Sequence, residues 1–464
     1  MDIRFENVTF QYEGTDDVCL SDLSLHIPDG QFVVLTGKSG CGKTTTTRLI
    51  NGLAPHFYQG TLKGSIWLGE NKVSDLQSYE ISRFVGSVFQ DPRSQFFTTN
   101  TTDELAFGCE NLSIPSNEIQ TNVEGAFSRL GMMALKNRSL FQLSSGEKQK
   151  IALASAYAMQ PDVYVLDEPS ANLDATATMA LKELLQELKR QGNTVIISEH
   201  RLSFLMDIAD RILYIDEGGI RYDWAPQELR SLTEAERITL GLRALDNPKL
   251  TGLYKPFLGN GSAVLDVRQI CTSLGGTTIF KDTSFSLGKG EILGITGENG
   301  IGKTTLARTL CGICKESGGE VWIDGRKTRR KQRTKAFSFV MQDTDYQLFT
   351  ETVEDELRFG NTSISNLAEK TENALLSLDL MACRKRHPLA LSGGQKQRVT
   401  IAAAAVSAAP FIIFDEPTSG LDGEHMRSVG TILREIADQG KTLLVISHDT
   451  EFLRNICDRI FLFK

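Results

Sequence analysis

The chain contains one ordered set of motifs twice, and this internal repeat limits the possible folds more than any other feature. GKSGCGKTT starts at residue 37 and GENGIGKTT at residue 297, an offset of 260 residues. QDPRSQFFTTNTTDELAFG starts at residue 90 and recurs as QDTDYQLFTETVEDELRFG at residue 342. LSSGEKQK at residue 143 and LSGGQKQR at residue 391 follow, and each half then has an apolar strand ending in Asp-Glu and a late histidine. Motifs in one order at a slowly shrinking offset indicate duplication of a whole domain rather than a solenoid of short repeats.

The length of the chain agrees with this duplication. A chain of 464 residues is long for a single hydrophobic core, so two domains are expected. We predict a first domain at residues 1–239, a linker at 240–262 and a second domain at 263–464. The linker is placed where prolines and a GNGS sequence interrupt the helix and strand patterns.

Composition and charge narrow the classes of function. Apolar residues make up 41% and charged residues 23%, which is typical of a soluble globular protein. The formal net charge of −8 gives no general attraction to nucleic acid or to an anionic membrane. Eight scattered cysteines show no disulfide framework and suit a reducing cytoplasm. No segment has the length and apolarity of a membrane span, so we expect a membrane role only through a separate partner, and no nucleic-acid partner.

Short apolar strands alternate with helices in both halves. QFVVLTG and EILGITG read as buried strands that end in glycine-rich turns, and a helix pattern follows each. VYVLDE and FIIFDE are continuous apolar runs ending in acids, as central parallel strands do. This alternation predicts a three-layer α/β core with a parallel sheet in each half. The less regular regions 90–143 and 342–391 are expected to be mostly helical insertions.

Residues 37–44 and 297–304 both fit the phosphate-loop pattern. The glycines allow successive backbone N–H groups to turn towards phosphate oxygens, and the following helix adds its positive end. The lysine of such a loop reaches the β- and γ-phosphates, and the threonine holds Mg²⁺. Two matches, each between a predicted strand and a predicted helix, indicate a nucleotide-binding protein.

An acid pair ends one buried strand in each half, Asp167-Glu168 and Asp415-Glu416. The aspartate can hold Mg²⁺, and the following glutamate can orient and deprotonate an attacking water. The alternative to a catalytic role is that each pair consists of ordinary surface acids that follow a strand. Their position at the end of a strongly apolar strand favours a cation, because unpaired carboxylates are costly there.

The full set of motifs, consisting of phosphate loop, glutamine loop, LSGGQ-type signature, apolar-Asp-Glu and late histidine, resembles the ATP-binding-cassette (ABC) ATPases. The resemblance covers essentially the whole chain, twice. It implies two tandem P-loop NTPase domains, each a three-layer α/β core with an antiparallel β subdomain and a helical insertion. It also implies ATP hydrolysis with Mg²⁺. In this family two cassettes, here within one chain, hold two ATP molecules, and the signature of one caps the nucleotide on the phosphate loop of the other.

The resemblance assigns residue roles by matched position. The implied catalytic residues are Glu168, His200, Gln90, Glu416, His448 and Gln342. The implied Mg²⁺ ligands are Thr44, Gln90, Asp167, Thr304, Gln342 and Asp415. The implied ATP-binding residues of the loops are Gly37, Lys38, Ser39, Gly40, Cys41, Gly42, Lys43, Thr44, Thr45, Gly297, Glu298, Asn299, Gly300, Ile301, Gly302, Lys303, Thr304 and Thr305. The implied signature contacts are Ser392, Gly393, Gly394 and Gln395 for the first site and Ser144, Ser145, Gly146 and Glu147 for the second.

The two implied sites differ. The first receives the full LSGGQ, whereas the second receives LSSGE, which places the carboxylate of Glu147 where an amide is usual. Tyr12 precedes the first phosphate loop by 25 residues, where this family stacks an aromatic ring on adenine, and the same spacing in the second half leads to Thr272. Both halves keep the glutamate and the histidine. We therefore predict hydrolysis at both sites and weaker ATP binding at the second.

The stretch after each glutamine resembles the energy-coupling-factor (ECF) branch of importers. The shared pattern is Q-x-x-x-x-Q, then apolar residues, then T-x-x-[DE]-[DE]-[LV]-x-F-G. In the first copy it includes Gln95 and Phe97 with the acids Asp103 and Glu104. In the second it includes Gln347 and Phe349 with the acids Asp355 and Glu356. The resemblance implies an apolar groove, rimmed by glutamine and acids, that receives amphipathic coupling helices of an integral membrane scaffold. Packing of the helical insertion is the alternative role for these aromatic residues.

These implications favour an ATPase at the cytoplasmic face of the cell membrane that powers import of a micronutrient, such as a vitamin, a vitamin precursor or a metal ion. A substrate-binding membrane subunit would complete the assembly. One alternative is a soluble double-cassette ATPase acting on the ribosome or on nucleic acid, although such relatives carry long charged linkers or metal-binding inserts. Another alternative is a switch that binds ATP without hydrolysing it. The glutamates and histidines expected to take part in hydrolysis are present in both halves, which argues against such a switch.

Overall fold

The computed structural model describes residues 1–15, 17–246, 248–255, 263–361 and 364–463. The chain forms two compact units, made mainly of Met1–Asp246 and of Asn247–Lys464. In the predicted linker, residues 247 and 256–262 lie outside the described residues. The predicted domain limits stay predictions.

In the first unit, the strands are β1 (Ile3–Tyr12), β2 (Val18–Ile27), β3 (Phe32–Thr36), β4 (Gly60–Leu68), β5 (Asn71–Lys72), β6 (Val85–Val88), β7 (Val163–Asp167), β8 (Thr194–Ser198), β9 (Arg211–Asp216) and β10 (Gly219–Trp224). The α-helices are α1 (Lys43–Ile50), α2 (Leu53–His56), α3 (Ser78–Phe84), α4 (Thr101–Asn111), α5 (Ser116–Arg129), α6 (Ser145–Ala158), α7 (Ala175–Arg190), α8 (Pro226–Ser231) and α9 (Glu234–Thr239).

In the second unit, the strands are β11 (Leu265–Leu274), β12 (Thr277–Leu287), β13 (Ile292–Thr296), β14 (Gly318–Ile323), β15 (Arg326–Lys327), β16 (Phe337–Val340), β17 (Phe411–Asp415), β18 (Thr442–Ile446) and β19 (Arg459–Leu462). The α-helices are α10 (Lys303–Leu310), α11 (Arg330–Ala336), α12 (Val353–Arg358), α13 (Leu367–Ser377), α14 (Gly393–Val406), α15 (Gly423–Asp438) and α16 (Thr450–Ile456).

Each unit contains one antiparallel and one mainly parallel sheet. The antiparallel sheets have the strand orders β2-β1-β4-β5 and β12-β11-β14-β15. The larger sheets have the orders β10-β9-β3-β8-β7-β6 and β16-β17-β18-β13-β19. In these larger sheets, the β9–β10 pair is antiparallel and the other recorded pairs are parallel.

The parallel sheets are buried on both faces, which explains their continuous apolar sequences. Every residue of β3 and of β8 is buried. Successive residues of β3 point to opposite faces, so Val34 joins the core on the helix side and Val33 joins the core shared with the antiparallel sheet. The same alternation divides the second unit between two cores. This arrangement confirms the predicted three-layer α/β fold with an antiparallel subdomain.

The predicted insertions are mostly helical. In the first unit, α4 and α5 pack on α6, and in the second, α12 and α13 pack on α14. Since β3, β7 and β8 are neighbours in one sheet, the residues that follow these strands meet at its carboxyl edge, where α/β proteins bind ligands. None of the helices in the described part of the chain is both long and apolar enough to cross a membrane.

Candidate functional site

The first phosphate loop connects β3 to α1 in a conformation that requires glycine. Gly42 has a φ of 111°, in the left-handed region. A Cβ on Gly37 would lie 2.1 Å from the carbonyl oxygen of Ile215, so no larger residue fits there. The Lys43 side chain is buried, and its ammonium group donates to the carbonyl oxygens of Gly37 at 3.1 Å and Lys38 at 2.9 Å. The loop therefore closes around its own lysine.

The second loop repeats this geometry between β13 and α10. Gly302 has a φ of 112°, and a Cβ there would lie 2.7 Å from Cγ2 of Ile279. The ammonium group of Lys303 donates to the carbonyl oxygens of Gly297 and Glu298, both at 2.8 Å. Two loops with separate sequences thus place their lysines in the same way.

The threonine of each loop contacts the aspartate at the end of the neighbouring strand. The Thr44 hydroxyl donates to Asp167 Oδ1 at 3.2 Å, and the Thr304 hydroxyl donates to Asp415 Oδ2 at 2.7 Å. Burial raises the pKa of Asp167, and it raises the pKa of Asp415 to about 6. Hydroxyl and carboxylate oxygens are the ligands that Mg²⁺ prefers, and a cation would remove the cost of the buried charge. These residues therefore fit a Mg²⁺ site.

The two glutamines after β6 and β16 are exposed. The Gln90 amide nitrogen donates to Glu168 Oε2 at 2.9 Å, so in this structure its side chain meets the expected base rather than Asp167. Gln342 occupies the matched position at the start of its loop. The expected Mg²⁺ contacts of both glutamines stay predictions.

A glutamate–histidine pair follows the acidic strand in each unit. Glu168 Oε1 lies 3.2 Å from His200 Nε2, and Glu416 Oε1 lies 2.9 Å from His448 Nδ1. Both glutamates have positive φ, 43° and 51°, a conformation that costs about 1 kcal/mol or more for a residue with a side chain. Burial acts to raise the pKa of Glu168, but the hydrogen bond and charge of His200, with the charge of Lys43, outweigh it, and the net pKa is lowered. Glu168 is therefore ionised at neutral pH, as a base must be.

Tyr12 lies beside the first phosphate loop. Its hydroxyl is 3.2 Å from the Thr45 hydroxyl and accepts a hydrogen bond from Arg48 Nη1 at 3.2 Å. The ring of Phe10 meets the Tyr12 ring edge-on, with centroids 4.9 Å apart. These contacts hold the phenol ring next to the first turn of α1.

The strand register corrects the residue matched to Tyr12. Phe10 pairs with Leu20 in the first unit, and Thr272 pairs with Phe280 in the second. Leu20 and Phe280 occupy the same place, since both lie against the last glycine of their phosphate loops. Thr272 therefore matches the buried Phe10, and Leu274, which is 47% exposed, matches Tyr12. The match to Thr272 from uniform spacing was wrong because the turn between β11 and β12 is shorter.

Each signature segment begins a helix with a reciprocal cap. In the first unit, the Glu147 carboxylate accepts from the Ser144 N–H at 2.8 Å and from Arg138 Nη1 at 3.0 Å. Burial alone would raise the pKa of Glu147, but these partners lower it, so the carboxylate is charged and locally neutralised. In the second unit, Gln395 Oε1 accepts from the Ser392 N–H at 3.1 Å. The Glu–Gln difference thus has a smaller electrostatic effect than the sequence alone suggests.

The signature segments differ more in the space around their small residues. A Cβ on Gly146 would lie 2.7 Å from Cβ of Ala177, whereas one on Gly393 or Gly394 would meet no atom within 4 Å. Ser145 takes the place of one of these glycines. The second signature therefore leaves more open space at its helix start than the first.

A protein-family model described as "ABC transporter" matches residues 20–171 and 280–419. The chain belongs to the ABC transporter family. It is a tandem ABC ATPase, and its cassettes bind ATP.

Similar family members match along most of their length. A Treponema denticola protein, provisionally named an ABC transporter ATP-binding protein, is 44% identical over 99% of this chain and 95% of its own. A Bacillus subtilis protein, provisionally named an HMP/thiamine import ATP-binding protein, is 31% identical over 99% of this chain and 89% of its own. Among solved structures, a chain of ribosome-bound archaeal Pelota and ABCE1 has a TM-score of 0.70 at 23% identity, covering 98% of this chain and 76% of that chain. At that identity the likeness shows the fold alone.

The repeated stretch of the two cassettes uses its second glutamine internally. Gln95 Nε2 donates to the Ser87 carbonyl at 2.9 Å, and its Oε1 accepts from the Phe89 N–H at 3.2 Å. Gln347 makes the same pair of bonds, with the Phe339 carbonyl and the Met341 N–H. Each glutamine thus extends the ladder of the preceding strand and fixes the loop. The amides of these two half-buried glutamines thus bond backbone of their own loop, and the groove that they were expected to rim stays a prediction.

A buried glutamate fixes the other end of the same loop. Glu104, 3% exposed, accepts from the N–H groups of Phe97 and Thr98 and from the Thr98 hydroxyl. Glu356, 7% exposed, accepts from the matched groups of Phe349 and Thr350. The expected acidic rim was therefore wrong for these two residues, whose carboxylates point inward. Their role was not visible in the sequence, where they read only as part of an acidic run.

The loop fixed in this way exposes one phenylalanine per cassette. Phe97 and Phe349 are each 73% exposed. In the first cassette, the Phe97 ring stacks on Phe107 with centroids 4.9 Å apart. Glutamine and glutamate thus hold an apolar side chain in solvent, where its burial by a partner would be favourable.

Proposed function

We propose that this ABC ATPase is the energy-coupling subunit of a membrane importer of the ECF type, placed at the cytoplasmic face of the membrane. It would drive uptake of a micronutrient through a separate membrane scaffold with coupling helices and a substrate-binding membrane subunit. The observation that carries the proposal is the pair of exposed phenylalanines, each fixed at the same place by the same two side chains. The naming of a full-length relative for HMP/thiamine import supports the transport class.

The surface around the second phenylalanine suggests the chemistry of its partner. Phe349, Tyr346 and Phe359 are 73%, 72% and 65% exposed. Four exposed carboxylates lie in the same segment, on Asp343, Asp345, Glu351 and Asp355, and that of Asp345 is paired with Lys396 at 2.8 Å. The matched segment of the first cassette also exposes an arginine, Arg93. An amphipathic helix with basic residues beside its apolar face fits the second cassette best.

We propose that the residues of each phosphate loop, Gly37–Thr45 and Gly297–Thr305, bind the phosphates of ATP. Lys43 and Lys303 would exchange their loop carbonyls for β- and γ-phosphate oxygens. Mg²⁺, when bound, would offset the negative charge of the phosphates. Thr44 with Asp167, and Thr304 with Asp415, supply the oxygens that fit this ion.

For hydrolysis, we propose that Glu168 and Glu416 each accept the proton of an attacking water. His200 and His448 orient these carboxylates through the contacts described above, and the exposed Gln90 and Gln342 would reach the reacting phosphate from the loop side. From the family resemblance alone, each signature segment would complete the ATP site of the other cassette.

Co-purification tests the proposed partner. A tagged full chain, purified from detergent-solubilised membranes of the native cell, is expected to co-migrate with an integral membrane protein. Phe97→Ser combined with Phe349→Ser should reduce that recovery at least 10-fold, because burial of one phenylalanine is worth about 2 kcal/mol. Phe57→Ser removes a ring of equal 73% exposure outside the repeated stretch and should leave recovery unchanged. Recovery of ribosomes or nucleic acid in place of a membrane protein would favour the soluble alternative and contradict the proposal.

The corrected match of Tyr12 gives a second prediction. Leu274→Tyr should tighten ATP binding at the second cassette by about 2- to 10-fold, because an aromatic stack adds about 0.5–1.5 kcal/mol. The measurement is an ATP titration of a chain that also carries Lys43→Ala. Because Lys43→Ala weakens the first site, the titration reports the ATP affinity of the second. Thr272→Tyr, in contrast, would place a ring in a fully buried position and should destabilise the cassette. Unchanged affinity in Leu274→Tyr would show that residue 274 does not face adenine.

A further inference from the structure

The loop that carries the histidine is bonded to the segment after the catalytic glutamate in both cassettes, but by different residues. We use "histidine loop" for residues 198–201 and 447–449, and "post-glutamate segment" for residues 169–173 and 417–421. In the first cassette the linking carboxylate is Glu199, immediately before the histidine. In the second it is Asp449, immediately after the histidine.

Glu199 bonds backbone groups on both sides of the link. Its Oε1 accepts from the Ser170 N–H at 2.9 Å, and its Oε2 accepts from the N–H groups of His200 at 3.1 Å and Arg201 at 3.3 Å. The side chain is 2% exposed, and burial together with the charge of Glu168 raises its pKa to about 7. A carboxylate is kept in such a dry place only where several donors satisfy it.

Asp449 bonds the matched segment through a side chain. Its Oδ2 accepts from the Thr418 hydroxyl at 3.1 Å, and its Oδ1 accepts from the Phe452 N–H at 3.1 Å. Thr418 follows Glu416 by two residues, as Ser170 follows Glu168. Asp449 is 7% exposed. Both links therefore end at the same residue of the post-glutamate segment.

The residues on either side of the histidine also differ between the two cassettes. Ser447 takes the position of Glu199, and its hydroxyl donates to Glu416 Oε2 at 3.1 Å. Arg201 takes the position of Asp449, and its guanidinium donates to the carbonyl oxygens of Leu173 at 3.2 Å and Ser170 at 3.4 Å. The carboxylate has thus moved across the histidine by two residues while its bonding target has stayed the same.

We propose that Glu199 and Asp449 are equivalent positioning residues, each of which locks the histidine loop onto the post-glutamate segment so that the glutamate–histidine pair keeps its reactive geometry. This inference rests on the proposed roles of the glutamates and histidines. Neither carboxylate needs to touch ATP. Loss of either one removes a bond between the two backbone segments that carry the pair, and small displacements of reacting groups cost up to 100-fold in rate.

The two links predict a rescue that a merely structural role would not give. Ser170 carries a hydroxyl at the position matched to Thr418, so an aspartate at residue 201 has the partner that Thr418 gives to Asp449. Glu199→Ser should lower kcat at the first site about 10-fold or more, with little change in KM for ATP. Glu199→Ser with Arg201→Asp, which rebuilds the arrangement of the second cassette, should recover most of that loss.

The variants are best made in a chain carrying Glu416→Gln, so that phosphate release reports the first site. If that chain is inactive, the two sites depend on each other. The loss of kcat in Glu199→Ser and its recovery in the double variant are then measured in the otherwise unmodified chain. If Glu199→Ser fails to fold, Glu199→Gln replaces it as the single variant. The kcat of the Glu199→Ser, Arg201→Asp double variant still tests whether the second arrangement restores activity. Thermal unfolding checks that each variant is folded.

Three outcomes are distinguishable. Loss of kcat in Glu199→Ser and its recovery in the double variant support the proposal. Normal kcat in Glu199→Ser, or equal loss in both variants, overturns it. Normal turnover in Glu168→Gln would instead contradict the proposed role of the glutamate itself. Because the assay uses the isolated chain, its result does not depend on whether the membrane partner exists.

Discussion

Glu168→Gln is expected to lower ATP hydrolysis at the first site by about 100- to 1,000-fold, and Glu416→Gln should do the same at the second. The substitution keeps the shape of the side chain but removes the proton acceptor, and general-base catalysis contributes about that factor. Each glutamate lies within hydrogen-bonding distance of its histidine, at 3.2 Å and 2.9 Å. Steady-state phosphate release from the full chain, for each single variant and the double variant, measures the effect.

The two single variants also rank the sites. Since the predicted second site lacks an aromatic ring at Leu274, we expect it to contribute less at low ATP concentration. Glu217→Gln is a matched control, because Glu217 also follows an aspartate at a strand end and has a positive φ, 47°, but it is exposed and comes after β9 rather than β7. Near-normal turnover in Glu168→Gln together with complete loss in Glu416→Gln would reverse the predicted ranking.

Glu104→Ala and Glu356→Ala are expected to destabilise their cassettes by about 3–5 kcal/mol each. Each substitution leaves two backbone N–H groups without their acceptor, whereas the threonine hydroxyl keeps a backbone carbonyl, and an unsatisfied buried donor costs about 1–3 kcal/mol. For a cassette of this size, a loss of 3–5 kcal/mol lowers the unfolding midpoint by about 6–20 °C. Calorimetry of the full chain measures the shift.

The conservative and neighbouring variants sharpen this experiment. Glu104→Gln keeps one acceptor oxygen and should cost less than Glu104→Ala. Asp103→Ala removes an exposed carboxylate from the adjacent position and should change the midpoint little. Recovery of the membrane partner should fall in Glu104→Ala at temperatures where the cassette is still folded, because Phe97 is then no longer fixed. A midpoint unchanged by both alanine variants would contradict the role assigned to the buried carboxylates.

The sequence predicted the fold because its signals are local. A run such as Phe32–Thr36 is apolar at every position but the last, and a glycine-rich turn and a helix follow it directly, so strand, loop and helix are each encoded within a few residues. Their repetition at a nearly constant offset predicted a second cassette. Thr44, Asp167, Glu168 and His200 were assigned to one site by matched position. The structure brings Thr44 to 3.2 Å from Asp167 and His200 to 3.2 Å from Glu168.

The features that the sequence did not show depend on partners far apart in the chain or on the direction of a side chain. The match of Leu274 to Tyr12 depends on the pairing of β11 with β12. The outward or inward direction of Phe97 and Glu104 depends on hydrogen bonds within a loop of irregular backbone. No short-range periodicity of the sequence determines such bonds. The sequence therefore gave no sign that Phe97 is exposed and Glu104 is buried.

The order of residues was thus enough to establish two ABC cassettes with their phosphate loops, acidic strands and histidines, because glycine turns, apolar strands and their spacing act over a few residues. The tertiary structure was needed to learn which polar side chains of the repeated stretch form hydrogen bonds with backbone groups. It was also needed to find that Glu199 and Asp449 bond the same position from opposite sides of the histidine. The physical reason is that a buried carboxylate is defined by the donors around it, and for Glu199 and Asp449 one of those donors comes from a segment about 30 residues away in the chain.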